Sequence, residues 1–131
     1  LHDALPILFT APSISQRAAL HALRYRDDVQ PRILKEYKQR IFYAYSRITE
    51  TPNMSVLYPR GSIYLFINIK KTGLTSNEVT KRLLEEAHVL VLPGNAFGKC
   101  GEGYIRLAMT VGIDKINVAF NRIIKMNLFI E

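Results

Sequence analysis

The sequence has few of the residues that are typical of secreted or membrane proteins. It contains a single cysteine, Cys100, which excludes an internal disulfide bond and favours a reducing compartment. No apolar run approaches the roughly 18 residues that a membrane span requires. The N-terminal residues also lack the basic start and the long apolar stretch of a secretion signal. The composition therefore predicts a cytoplasmic protein without a membrane partner.

Residues for metal binding or covalent catalysis are equally scarce. The three histidines, His2, His21 and His88, do not have the spacing of metal ligands. Cys100 has no histidine or second cysteine close to it in the sequence, and no serine, histidine and aspartate form an identifiable triad. We therefore expect neither a metal site nor a catalytic residue in this chain.

Positive charge exceeds negative charge, with 18 Lys and Arg against 11 Asp and Glu and a net charge of +7. Such a balance permits a nucleic acid or an acidic partner, and the aromatic stretch at residues 63–66 could serve a binding surface. The basic residues are scattered, however, and the aromatic spacing of RNA-binding sheets is missing. A basic α/β binding module is therefore the alternative function, and the preferred interpretation has no nucleic-acid partner.

The chain is long enough for one domain with its own core, at 131 residues, but too short for a large two-domain enzyme. It does not begin with methionine, so we expect a fragment. Residues 3–7 read Asp-Ala-Leu-Pro-Ile, which one reading frame of a common sequencing adapter would encode. Residues 1–12 are therefore expected to be non-native or unstructured.

Hydrophobic spacing and capping residues predict alternating helices and short strands. The predicted helices cover residues 16–23, 27–49, 75–87 and a last segment from Asp114, and the predicted strands cover 56–58, 62–69, 89–92 and 104–110. This order predicts an α/β fold in which a small mixed sheet packs against helices.

The strongest functional signal lies at residues 93–107, which read Pro-Gly-Asn-Ala-Phe-Gly-Lys-Cys-Gly-Glu-Gly-Tyr-Ile-Arg-Leu. Glycine allows positive φ or close approach to a ligand. Arg106 follows between two apolar residues, and its planar charged fork suits a carboxylate or a phosphate. The loop connects two predicted strands, whereas nucleotide-phosphate loops open a helix. A small carboxylate is therefore the favoured ligand, and an arginine that reaches solvent or pairs with a core carboxylate is the structural alternative.

This motif resembles the C-terminal signature of class I/II pyridoxal-phosphate-dependent aminotransferases, of the aspartate aminotransferase fold type. Residues 15–23, Ser-Gln-Arg-Ala-Ala-Leu-His-Ala-Leu, look like the Gln-x-Ala-Ala helix of that family, and residues 59–66, Pro-Arg-Gly-Ser-Ile-Tyr-Leu-Phe, are similar to its Pro-x-Gly-x-x-Tyr strand entry. The resemblance runs from about Ser13 to Met126. It implies that residues 13–26 form a helix from the end of the large domain and that residues 27–131 form the C-terminal small domain.

The resemblance also implies roles for individual residues. Arg106 matches the arginine that binds the substrate α-carboxylate, and Gly61 and Ile63 match a segment near the substrate side-chain pocket. The lysine that carries pyridoxal 5'-phosphate lies upstream in that family, so we expect this chain to lack it and to be inactive alone. The implied partners are an amino acid, a 2-oxo acid, the missing large domain and the second subunit of a homodimer. A lyase or decarboxylase reaction on the same fold stays open, as does the amino acid used.

Overall fold

The computed structural model describes residues 11–130, which divide into two compact units at residues 35 and 36. Residues 1–10, which hold most of the segment expected to be non-native or unstructured, lie outside the described residues. The helices are α1 (Ser13–Arg24), α2 (Arg26–Thr49), α3 (Ser76–Ala87) and α4 (Ile113–Ile123), and the strands are β1 (Tyr64–Asn68), β2 (Leu92–Pro93) and β3 (Tyr104–Ala108). Within this part of the chain, no helix has both the length and the apolar character needed to cross a membrane.

The first unit consists of α1 and the first residues of α2, as the helical spacing predicts. Asp27 and Asp28 lie in the first turn of α2, where negative charge favours the positive end of the helix dipole. No residue of α1 is buried within the described chain. Leu23 and Val29 are among the large apolar side chains that this unit leaves exposed.

The second unit has a hydrophobic core between one face of the sheet and the apolar faces of three helices. Its buried side chains come from α2 (Ile41, Ala44, Ile48), the strands (Leu65, Ile67, Ile105), α3 (Val79, Leu83, Ala87) and α4 (Ile116, Phe120, Ile123). In α3, the predicted capping is confirmed: Thr75 accepts a hydrogen bond from the Glu78 N–H while the Glu78 carboxylate accepts from the Thr75 N–H.

The sheet has the order β1-β3-β2, and both hydrogen-bonded pairs are antiparallel. Since β1 and β2 both run opposite to β3, they run parallel to each other, with α3 connecting them in a split β-α-β arrangement. The small sheet packed against helices is confirmed. The sheet was expected to be mixed, but both of its hydrogen-bonded pairs are antiparallel. The two parallel strands share no hydrogen bond because β3 lies between them.

Two predicted strands differ from the structure. Residues 56–58 form no strand among the described residues, and only the neighbouring Ser55 pairs, with Asn68. The ring of Tyr58 instead packs on Phe42 and Tyr45 of α2, so this aromatic segment contributes to helix packing. The strand predicted at residues 89–92 is present only as Leu92–Pro93. Val89 and Val91 are buried in the core, so the apolar pattern of this segment reflects core packing and not strand pairing.

Candidate functional site

The glycine-rich loop connects β2 to β3 through two short 3-10 turns, Gly94–Phe97 and Lys99–Gly101, so its predicted position between strands is confirmed. The two turns pack against each other at Gly94 and Gly101. A Cβ atom built on either residue would collide with the backbone of the other. Glycine is therefore required at both positions by close backbone approach, and the loop has one compact shape.

Ser76 and Glu102 fasten this loop to the N-terminus of α3. The buried Ser76 hydroxyl accepts hydrogen bonds from the Gly103 N–H (2.9 Å) and the Tyr104 N–H (3.2 Å). The Glu102 carboxylate accepts one from the Ser76 N–H at 2.7 Å. This backbone hydrogen bond holds the pKa of Glu102 below its usual value, since it favours the charged form.

Arg106 lies in β3, directly opposite Phe66 of β1, and its side chain is half-buried. Two aromatic rings flank it: the ring centroids of Tyr64 and Phe97 lie 4.3 Å and 4.4 Å from the guanidinium carbon. Aromatic faces attract a cation at such distances. The rings therefore restrict the guanidinium to a small range of positions.

The N–H donors of Arg106 have no hydrogen-bond or ion-pair partner among residues 11–130, whereas Arg40 and Arg82 in this part of the chain each pair with a glutamate. The alternative in which Arg106 pairs with a core carboxylate therefore finds no partner in the described chain. A half-buried guanidinium with unused donors is suited to bind an anion from outside, because its planar fork matches the two oxygens of a carboxylate.

Arg106 belongs to an aromatic surface on the side of the sheet that faces away from the core. Phe66 stacks on Tyr104 with ring centroids 5.2 Å apart and meets Phe97 edge-on at 6.2 Å. These contacts continue from strand to strand, because residues that alternate along a strand share one face. Phe97, Phe66 and Tyr104 therefore fix one another beside the arginine.

A groove of about 440 Å³ opens on the same side of the sheet. Gly61, Tyr64, Phe66 and Tyr104 contribute to its lining. Of the two residues predicted near the substrate side-chain pocket, Gly61 lies in this groove. Ile63 is half-buried outside the lining and uses its carbonyl to accept a hydrogen bond from the Met109 N–H at 2.9 Å.

The sequence interpretation identified Arg106 but missed Tyr64 and Phe97 as its neighbours and Ser76 and Glu102 as the support of the loop. The positions of Ser76 and Glu102 are 26 residues apart, and no local pattern connects them. The contact of Tyr64 depends on strand register, which sequence spacing alone does not give. Phe97 lies within the motif itself, next to the glycines, so its position in the sequence could have indicated its contact with Arg106.

No group of three or more histidine, cysteine, aspartate or glutamate side chains that could hold a metal ion occurs in residues 11–130. The arrangement that the described residues do form is a half-buried arginine on an aromatic surface. It can bind and orient a carboxylate through charge-assisted hydrogen bonds.

Comparison with known proteins shows one family throughout. The family model described as aminotransferase class I and II matches residues 3–123. The chain is 36% identical to an aspartate aminotransferase of Pyrococcus horikoshii over 121 residues, which cover 91% of this chain and 31% of that protein. It is 37% identical to a probable N-acetyl-LL-diaminopimelate aminotransferase of Bacillus subtilis, over 86% of this chain and 28% of that protein.

A solved structure agrees with these relatives. The crystal structure of an aromatic aminotransferase from Pyrococcus horikoshii OT3 superimposes with a TM-score of 0.72 at 36% identity, covering 78% of this chain and 27% of that one. The chain spans a little under a third of the length of the curated relatives it matches.

Proposed function

Because the chain belongs to the class I and II aminotransferase family, we propose that it is the C-terminal part of an enzyme that transfers an amino group between an amino acid and a 2-oxo acid. Residues 13–26 would then end the large domain, and residues 27–131 would form the small domain. The names of the relatives support a role in amino-acid metabolism, and a diaminopimelate relative favours biosynthesis. The alternative of a nucleic-acid or acidic-partner module receives no support from the comparisons.

Within this enzyme, Arg106 binds the α-carboxylate of the substrate. This role is supported mainly by the surroundings of the guanidinium. Tyr64 and Phe97 flank it, and it has no acidic partner among residues 11–130. The substrates that the relatives' names mention differ in their side chains, but all of them carry a carboxylate next to the amino group. A residue that serves all of them should bind this shared group.

Gly61 and Ile63 are proposed to lie beside the substrate side chain. In support, Gly61 and Tyr64 both line the groove of about 440 Å³, and the ring of Tyr64 contacts Arg106. A carboxylate bound at Arg106 would thus place the rest of the substrate near this groove. Bulk at position 61 should therefore affect which side chains are accepted.

Pyridoxal 5'-phosphate is the cofactor that the family implies, and when bound it supplies an electron sink for carbanion chemistry. A lysine that holds it must be desolvated enough to act as a nucleophilic amine. Every lysine among residues 11–130 is exposed to solvent, so these lysines do not fit that role. The cofactor lysine is therefore proposed to lie in a part of the enzyme outside this chain. Transaminase, lyase and decarboxylase reactions would be decided there, and transamination is the one that the relatives' names favour.

The partners proposed for this chain are the large domain and a second subunit of a homodimer. Exposed apolar side chains of the first unit support this proposal: Leu23, Val29 and Ile33 line a shallow groove on it. Such surface is normally covered by another part of the protein. A cytoplasmic location is also proposed, since the single cysteine favours a reducing compartment.

The experiment that tests the carboxylate role compares amino acids with their carboxamides in the full-length enzyme. For each member of a panel of L-amino acids, kcat/KM is measured for the acid and for its amide, which lacks the charged group. Arg106→Ala should lower kcat/KM for the acid about a hundredfold or more, because each hydrogen bond to a charged group contributes about 1.5–3 kcal/mol.

Amide turnover should change much less in Arg106→Ala, so the preference for the acid should nearly vanish. Arg122→Ala is the matched control, since Arg122 is an exposed arginine of α4, and it should keep the wild-type preference. An unchanged preference in Arg106→Ala would show that the carboxylate role is wrong.

A further inference from the structure

Ser76 occupies a buried position between α3 and the glycine loop. Ser76 is 0% exposed, and its hydroxyl forms three hydrogen bonds with the backbone. It accepts from the N–H groups of Gly103 and Tyr104 and donates to the Gly101 carbonyl at 3.5 Å. These three backbone groups form the end of the loop and the start of β3. A single side chain therefore fixes the turn from loop to strand.

Glu102 forms the reciprocal contact. Its carboxylate reaches from the loop to the Ser76 N–H in the first turn of α3, where the helix leaves N–H groups without an intrahelical partner. A negative charge there also favours the positive end of the helix dipole. Ser76 and Glu102 thus connect loop and helix in both directions, and we call them the loop clamp.

The loop clamp lies close to both determinants of the Arg106 position. Tyr104, whose N–H binds Ser76, is two residues before Arg106 in β3. Phe97, whose ring lies 4.4 Å from the guanidinium carbon, belongs to the same loop. Movement of the loop away from α3 would therefore shift the strand start and the flanking ring together.

We propose that Ser76 and Glu102 are positioning residues for substrate binding: they hold Arg106 and Phe97 where the guanidinium fork meets a carboxylate. This inference rests on the proposed carboxylate role of Arg106. Neither residue touches the substrate. Their effect is transmitted through the loop backbone, and small displacements of a binding group are costly because charge-assisted hydrogen bonds depend on geometry.

The test uses the full-length enzyme and the ratio of kcat/KM for an L-amino acid to that for its carboxamide. Ser76→Ala and Glu102→Ala should each lower this ratio about tenfold, through a higher KM for the acid, while amide turnover stays within about twofold. Glu102→Gln keeps a carbonyl oxygen that can accept from the Ser76 N–H, so it should restore most of the ratio. Glu85→Ala removes an exposed carboxylate from α3, the helix that contains Ser76, and should have no effect.

The outcomes separate the two proposals. If Arg106→Ala removes the acid preference while both clamp variants keep it, the positioning role is wrong and the carboxylate role stands. If Arg106→Ala itself keeps the preference, the proposed function is wrong. A loss of acid and amide turnover in equal measure would show that the clamp is only structural and would also overturn the inference. Should Ser76→Ala fail to fold, the exposed Glu102 and its Ala and Gln variants still decide the question.

Discussion

Phe97 contacts the guanidinium of Arg106, with 4.4 Å between its ring centroid and the guanidinium carbon. The two residues lie on opposite sides of the second 3-10 turn of the loop, so their contact exists only when the loop folds back on β3. The loop glycines permit the close approach of the two turns. They therefore allow a fold of the chain that places an aromatic ring beside the arginine.

The two rings that flank Arg106 should contribute measurably to carboxylate binding. Phe97→Leu and Tyr64→Leu each remove one ring, and an exposed cation–π contact contributes about 0.5–1 kcal/mol. We expect KM for the amino acid to rise about two- to fivefold in steady-state assays of the full-length enzyme. Phe97→Tyr retains the ring and should behave as wild type. Equal effects of Phe97→Tyr and Phe97→Leu would contradict a role for the ring.

Gly94→Ala should destabilise the protein because the new Cβ atom would collide with the Gly101 carbonyl. Overpacking of this kind costs about 1–3 kcal/mol of unfolding free energy, which denaturant titration can measure. Gly61→Ala is the matched control, since no described atom lies within 4 Å of its added Cβ. The prediction is wrong if both variants show the same unfolding free energy.

Glu102 should make the stability of the protein depend on pH. Its pKa is lowered in the folded state, chiefly by the hydrogen bond from the Ser76 N–H, so ionised Glu102 stabilises the fold above its ordinary pKa of 4.5. This contribution should be lost as pH falls below 4.5 and through the lowered value. Wild type should thus be more stable than Glu102→Gln at pH 7, and the difference should shrink at lower pH in parallel denaturant titrations.

A difference between wild type and Glu102→Gln that stayed constant from pH 7 to pH 3 would contradict the electrostatic origin. Glu85→Gln serves as the comparison, because it removes a carboxylate of α3 that forms only an exposed pair with Lys81 at 3.9 Å. It should show little change at any pH.

Arg47 connects α2 to α4 and should be coupled energetically to Asn117. Its guanidinium donates to the side-chain oxygens of Asn117 at 2.6 Å and Asn121 at 2.8 Å. Residues in one hydrogen-bond network show interaction energies of about 0.5–3 kcal/mol. In a double-mutant cycle, Arg47→Ala and Asn117→Ala should therefore be non-additive in unfolding free energy. A cycle of Arg47→Ala with Glu85→Ala should be additive, and additivity in both cycles would refute the coupling.

The sequence was sufficient for the elements whose signals are local. Helix α3 has both its capping box and its apolar spacing within twelve residues, and the structure places it where these signals predict. Strand β1 and the connection of the glycine loop between two strands were predicted for the same reason. The two-residue extent of β2 was not, because it depends on pairing with β3.

The residues of the candidate site also differ in whether a local signal predicts them. Arg106 and Phe97 lie in one contiguous motif, whereas Tyr64 and Ser76 come from distant positions. Tyr64 reaches Arg106 through the pairing of β1 with β3, and Ser76 reaches the loop through the packing of α3. Both contacts depend on tertiary structure, which propensity and spacing do not encode.

The place of β3 in the middle of the sheet has a consequence for local unfolding. Arg106 pairs with Phe66 on one side and with Leu92 on the other. Exposing its backbone therefore requires both neighbouring strands to separate, whereas β1 or β2 can detach while β3 stays paired. Amide exchange should accordingly be slower in β3 than at the sheet edges. The arginine thus sits on the part of the sheet that opens last when the protein fluctuates.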